Sequence, residues 1–223
     1  MTRARFGVWL AIFAAFVLAN CSLAASKAPE LTWTDDFSID KADLAPTGSN
    51  PYFILEPGYQ LVLKDGEDTL TITVLNETKV VDGVETRVVE EKEIVKGRVA
   101  EVSRNYFAIS KKNNTVFYFG EDAGGAWQAG VNGARAGVMM PGIALVGARY
   151  YEEVAPKVAM DRAEIVSISD TLTVPAGKFD KVLKVEETTP LEPGEREYKY
   201  YAAGIGLLKD EDFVLLKHGY LSE

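Results

Sequence analysis

The chain holds one cysteine, Cys21, and one histidine, His218, in 223 residues. No disulfide can form within the chain, so its core must hold by burial alone. The same scarcity excludes a Cys/His zinc site, a CxxC redox pair and a Cys–His nucleophile within one chain. Neither GxGxxG nor P-loop spacing is present, so phosphate cradling lacks support. There is no GxSxG elbow, which leaves His218, beside Gly219, without a serine signal. Basic residues are also in deficit: 24 Lys and Arg stand against 33 Asp and Glu, a net charge of −9. Such a balance repels nucleic acid and anionic lipid surfaces, so no nucleic-acid partner is expected. Beyond the first 26 residues no long apolar run occurs, so a second membrane segment is not expected.

What the chain does have begins at its N-terminus. Residues 1–25 carry Arg3 and Arg5, an uncharged run from Phe6 to Ala19, and then small residues. That layout predicts a secretory signal peptide. Its loss removes two bases and no acid, leaving 22 basic against 33 acidic residues and a net charge of −11. Ser22-Leu23-Ala24 and Leu23-Ala24-Ala25 suit an ordinary cut. Leu18-Ala19-Asn20-Cys21 is similar to a bacterial lipobox, with Asn20 departing from the small residue usual there, and would lipidate Cys21. Ser22 after the cysteine then fits outer-membrane sorting. An uncleaved anchor is the third alternative. The expected location is exported, periplasmic or extracellular, with an outer-membrane lipoprotein as the variant in which Cys21 carries lipid.

Residues 26–50 mix Pro, Ser, Asp and Gly and predict a flexible linker or arm, pinned by Trp33 and Phe37. Residues 51–223 predict a single β-rich domain. Thr69, Thr71 and Thr73 alternate with Leu70, Ile72 and Val74, which marks a strand with one wet face. Asp65-Gly66, Asp82-Gly83, Lys96-Gly97, Asn113-Asn114, Ala176-Gly177 and Pro193-Gly194 separate β-branched or aromatic runs. Strands are expected near 59–64, 69–79, 84–94, 98–110, 115–119, 147–154, 160–168, 171–174, 179–188, 195–202 and 205–216. Val88 to Val99 has enough Glu and Lys for a helix, but Gly97 and the valines favour a charged hairpin. The expected fold is all-β: an antiparallel meander forming a strongly curved sheet or partly closed barrel, lipocalin-like or lipoprotein-carrier-like. Residues 120–146 hold seven glycines. They predict a long irregular insertion.

That insertion supplies the first candidate site. Trp127, Met139 and Met140, with Pro141, can line an adaptable apolar pocket, or plug one barrel end as ordinary core. Alternation puts Arg162 and Glu164 on one strand face with Met160, and Arg104 with Tyr106 on another. An Arg–Glu pair inside a cavity would anchor a polar headgroup, whereas on an exposed face it is structural. Tyr150, Tyr151, Tyr198, Tyr200 and Tyr201 suit sugar binding or plain sheet packing. Glu186 and Glu187 are adjacent and so point to opposite faces, which is poor geometry for glycosidase chemistry. Asp210-Glu211-Asp212 and Asp65-Gly66-Glu67-Asp68 lack EF-hand spacing, and no metal or cofactor is expected.

Several phrases carry a resemblance. They are Asn50-Pro51-Tyr52-Phe53, Leu55-Glu56-Pro57-Gly58, Arg104-Asn105-Tyr106-Phe107, Tyr118-Phe119-Gly120-Glu121-Asp122, Ala159 to Glu164, Val174-Pro175-Ala176-Gly177 and Thr188 to Gly194. From about Asn50 to Lys209 the chain resembles a group of exported bacterial β-rich proteins of unknown function. Members of that group carry a longer hairpin between Asp122 and Ala126, where this chain has three residues. The resemblance implies a secreted β protein and no reaction.

The functional expectation is an exported non-enzymatic binding protein, holding a lipid or other hydrophobic or amphipathic small molecule in a β cavity. The alternatives are an envelope-associated protein-interaction module and a carboxylate-dependent hydrolase or isomerase using Arg162 and Glu164. Contact with a membrane is expected only through a lipid anchor at Cys21.

Overall fold

Two-residue turns set the frame of this molecule. In the computed structural model, which describes residues 32–123 and 126–221, Asp82 and Gly83 have φ of 50° and 76°, and Lys96 and Gly97 have φ of 51° and 73°. Both pairs take the doubly left-handed conformation whose twist matches that of the flanking strands, so each closes a tight hairpin. The signal-peptide segment and Cys21 lie outside the described residues.

Among the described residues, seventeen strands follow a 3-10 turn at Lys41–Asp43. They are β1 (Leu44–Ala45), β2 (Gly48–Asn50), β3 (Phe53–Leu55), β4 (Tyr59–Asp65), β5 (Asp68–Val81), β6 (Val84–Val95), β7 (Arg98–Ser110), β8 (Val116–Asp122) and β9 (Trp127–Gln128). There follow β10 (Arg135–Met140), β11 (Arg149–Tyr151), β12 (Glu153–Val154), β13 (Arg162–Val174), β14 (Gly177–Thr188), β15 (Glu197–Ala202), β16 (Gly206–Asp210) and β17 (Phe213–Tyr220). Thirteen of them form one nearly closed, antiparallel, barrel-shaped sheet. Its order is β11-β13-β14-β15-β16-β17-β4-β5-β6-β7-β8-β10-β12. The expected all-β meander is present. No helix of the described residues is long and apolar enough to cross a membrane.

The ends of that sheet meet in one stretch of chain. β11 pairs with β13, Arg149 opposite Glu164 and Tyr151 opposite Arg162. One residue later, β12 pairs with β10, Glu153 opposite Ala136. Glu152 is the joint, and its N–H donates to Asp161 O at 2.8 Å. Gly137 permits the crossing: a Cβ there would lie 2.3 Å from Glu152 O and 2.5 Å from Tyr151 O. The arm reinforces the seam. Thr34 N donates to Arg149 O at 3.1 Å, and Tyr151 N donates to Thr34 O at 2.9 Å. Trp33 stacks on the Arg162 guanidinium, 4.6 Å from ring centre to carbon.

The insertion at 120–146 is therefore not irregular throughout. Residues 135–140 form β10, which pairs with both β8 and β12. Ala136, Val138 and Met140 are buried on this strand. Burial against two neighbours overrides the weak strand propensity of its small residues. Two further expectations change. The segments 160–168 and 171–174 are one strand, β13, with register shifts between Ile165 and Asp170 that absorb the polar Ser167-Ile168-Ser169 stretch. The segment 205–216 divides into β16 and β17 at Glu211, whose φ is 47°.

The core mixes aliphatic and aromatic side chains. Leu63, Val89, Phe119, Ile165, Val182, Leu183, Val185, Leu208 and Leu215 are all but fully buried. Each contributes about 1.5–3 kcal/mol of transfer free energy. Phe107 stacks on Tyr118 with ring centres 4.7 Å apart, and Trp127 meets Tyr118 edge-on at 5.2 Å.

Candidate functional site

Strand alternation gives the interior a polarity gradient. Val89, Glu91 and Glu93 succeed one another at period two on β6. Their cross-strand partners on β7 are Asn105, Ser103 and Glu101. On β14, Val185 and Glu187 follow the same rule, opposite Lys199 and Glu197 on β15. Along each of these strands the face passes from aliphatic to acidic. Two glutamate pairs, Glu93 with Glu101 and Glu187 with Glu197, stand directly opposite each other, an arrangement that costs stability.

One cation compensates at the centre. Lys199 Nζ lies 2.8 Å from Glu187 Oε2 and 3.8 Å from Asp210 Oδ2. Burial opposes the Lys199 charge, but Glu187 and Asp210 outweigh it and hold its pKa above the ordinary lysine range. The acids also shift upward, which for them favours the neutral form. Burial pushes Glu91 up to about 7, with Lys199 pulling against it. Burial and then the Glu187 charge push Glu152 well above the carboxylate range. Burial and then Asp161 do the same for Glu153, whose Oε1 accepts from Asp161 N at 3.4 Å. Burial also raises Glu187 itself, despite Lys199.

Lys199 stands between two kinds of space. On one side is a cavity of about 90 Å³, walled by Tyr52, Phe53, Tyr59, Ile72, Val74, Val89, Met139, Ile205 and Leu207, with Glu91, Lys199 and Asp210 at its polar end. On the other are two open recesses that share Glu197. One, of about 330 Å³, is lined by Glu121, Glu153, Asp161, Glu187, Glu192 and Glu195. The second, of about 290 Å³, is lined by Glu91, Glu93, Glu101, Lys199, Asp210 and Glu211. Among the described residues three buried side-chain polar atoms have no hydrogen-bond partner: Glu187 Oε1, Tyr150 Oη and Trp127 Nε1. No group of three or more His, Cys, Asp or Glu among the described residues has a geometry that could hold a metal ion.

The residues singled out from the sequence do not converge. Met139 lines the apolar cavity. Met140 is core, 1% exposed. Trp127 is buried against Tyr118 and borders a separate recess with Val131 and Pro156. Arg104 pairs with Glu77 at 3.0 Å and Glu90 at 3.6 Å on a solvent-facing surface. Tyr106 is buried under Lys79, whose Nζ donates to its hydroxyl at 3.1 Å. Arg162 donates to Thr188 Oγ1 at 3.1 Å, while Glu164 pairs instead with Arg149 at 2.7 Å. The expected Arg162–Glu164 pair is thus replaced by two separate partnerships. Neither residue borders the interior cavity or the recesses.

Glu91, Glu152, Glu153, Glu187 and Lys199 form the polar interior; of these the sequence singles out only Glu187, as half of an adjacent pair poorly placed for glycosidase chemistry. The usable signal was Glu187 at an inward position of a strand that also buries Leu183 and Val185. The chain matches no protein-family model, no curated protein and no solved structure.

Proposed function

We propose that this is an exported, non-enzymatic binding protein whose barrel holds a small amphipathic molecule. The observation that carries the reading is the cavity between Met139 and Lys199, which is apolar along its walls and ionic at one end. An alkyl or aromatic group would occupy the apolar part, and a polar group would meet Lys199, Glu91 or Asp210. The cavity volume of about 90 Å³ is below the roughly 150 Å³ that admits benzene in a dry cavity. The apolar portion of the ligand is therefore short, or Met139 swings aside to enlarge the space, as an unbranched thioether side chain can. Export follows from the N-terminal segment, and a lipid at Cys21 would tether the barrel to an envelope membrane.

The test is solvent extraction of the purified chain followed by mass spectrometry, together with thermal shift against a series of short alkyl alcohols, acids and amines. A bound molecule, or a shift that Met139→Trp abolishes, supports the reading. No extracted molecule and no shift with any member of the series overturns it.

One observation favours a second reading, a carboxylate-dependent hydrolase or isomerase. Glu152 and Glu187 hold protons above the usual carboxylate range beside a buried ammonium, a combination that suits general acid–base work. The reacting pair would then be Glu187 and Glu152 rather than Arg162 and Glu164. Turnover of a nitrophenyl ester or glycoside that Glu187→Gln abolishes in a folded protein would favour it over binding.

A further inference from the structure

We propose that the two acidic recesses form a second site, adjoining the polar end of the apolar cavity at Glu91, Lys199 and Asp210, that binds a linear organic polyamine. Five carboxylates from five separated stretches of chain line the larger recess: Glu121, Glu153, Asp161, Glu187 and Glu197. The cation that lines the same recess, Arg196, is turned to Glu186 at 3.2 Å. Lys199 is already engaged by Glu187 Oε2 and Asp210.

Charge density alone would not make a site. The second observation is Glu187 Oε1. Glu187 is 8% exposed, borders the recess, and holds this oxygen without any hydrogen-bond partner. A buried carboxylate oxygen left without a donor is destabilising, because it has given up its water without a replacement partner. An ammonium entering the recess supplies that donor and a compensating charge together.

The chemistry of the donors selects the class of cation. A hard divalent ion needs several carboxylate oxygens around one point. Among the described residues no such group exists. Instead the acids are spread through two recesses, of about 330 and 290 Å³, that both border Glu197. Spread acceptors suit a chain with ammonium groups at intervals, each making its own N–H···O contacts. The directly opposed pairs Glu187–Glu197 and Glu93–Glu101 lie along that path. An ammonium between two such glutamates would offset their mutual repulsion.

The experiment is calorimetric titration of spermidine into the full chain at low ionic strength, compared with magnesium, calcium and butylamine. Spermidine is expected to bind at one equivalent and more tightly than all three. Glu187→Gln, which keeps side-chain shape, should weaken it about tenfold or more, a loss of about 1.4 kcal/mol. Glu121→Gln reports on the same recess without touching the Lys199 pair, and should weaken it as well if Glu187→Gln fails to fold. Glu77→Gln, on the outer surface beside Arg104, should leave binding unchanged. The proposal is overturned by no spermidine binding, by equal affinity for magnesium or calcium, or by binding that the recess variants leave intact. Met139 lines the apolar cavity and neither recess, so blocking that cavity with Met139→Trp should leave spermidine affinity unchanged. Loss of spermidine binding in folded Met139→Trp would overturn a second site distinct from the apolar cavity.

Discussion

Lys199 and Glu187 form a 2.8 Å ion pair inside the barrel, with side chains 22% and 9% exposed. They sit diagonally on neighbouring strands, since Lys199 is directly opposite Val185 and Glu187 is opposite Glu197. The lysine is held by more than one acid, so its removal does more than break a pair. Lys199→Met retains most of the aliphatic stem but leaves Glu187, Asp210 and Glu91 facing each other uncompensated. A buried charge without its partner costs roughly 3 kcal/mol or more. Urea denaturation at pH 8 should show a loss of that order. At pH 5.5 the loss should shrink, because the orphaned acids can then take up protons. An equal loss at both values would mean that Lys199 acts by packing rather than by charge.

The same acids set the pH dependence of the unmodified chain. Glu91 is raised from an ordinary value of 4.5 to about 7, mainly by burial. Glu197 is raised to about 7 as well, by burial and then by its hydrogen bond with Glu211. An acid with a raised folded-state pKa binds more protons folded than unfolded between the two values. Its contribution to stability is therefore complete below about 4.5 and is lost as pH rises through 7. Glu152, Glu153 and Glu187 act in the same direction. Asp40 and Glu56 are lowered, so their opposing effect falls below pH 4.5. Between pH 8 and pH 5 the melting temperature should rise on the order of 5 °C. Calorimetric scans across that range check it, and a fall toward pH 5 would contradict the protonated interior.

Much of the frame is legible in the sequence, because hairpins announce themselves locally. Asp82-Gly83 and Lys96-Gly97 are turn signals, and the strands on either side of them begin and end within about two residues of expectation. The seam is not legible in the same way. β10 is Arg-Ala-Gly-Val-Met-Met, a poor strand by propensity. It is recruited because β8 and β12 each present an unsatisfied edge to it. The interior charges were half visible. Adjacency shows that Glu186 and Glu187 face opposite ways, and they do: Glu186 accepts from Tyr198 and Arg196, while Glu187 meets Lys199. Which of the two faces inward requires the register against β15, and register is a long-range property. Shared strand face alone likewise does not fix the partners of Arg162 and Glu164, which lie across the ladder. The residue opposite Glu164 is Arg149, from a strand thirteen residues upstream of β13.

Closure of the barrel at Glu152 makes Gly137 a sensitive position. A Cβ there would meet two backbone carbonyls, at 2.3 and 2.5 Å. Neither is the end of a flexible side chain, so the seam itself must move. Gly137→Ala should cost about 3 kcal/mol. The effect should reach Arg149–Val154 and Thr34 first, seen as faster amide exchange at Tyr151, whose N–H donates to Thr34 O. Unchanged exchange there alongside reduced global stability would place the strain elsewhere.

Arg87 holds the widest irregularity in the barrel. The register between β5 and β6 shifts between Val74 and Thr78. The Arg87 guanidinium reaches into that gap and donates to Glu77 O at 3.2 Å, Leu75 O at 3.4 Å, Pro46 O at 3.0 Å and Thr47 Oγ1 at 2.6 Å. It is 6% exposed, and its charge is spent on backbone carbonyls that the shift leaves without ladder partners. Arg87→Ala strands these acceptors and should cost about 3 kcal/mol. Arg87→Lys keeps the charge but offers a single ammonium in place of a planar fork, so it cannot reach acceptors on both sides of the gap. Its stability should fall between the two. Denaturation of the three proteins, with amide exchange followed across residues 74–78, reads the order directly. A lysine variant as stable as the unmodified chain would show that charge alone, and not the forked geometry, supports the shift.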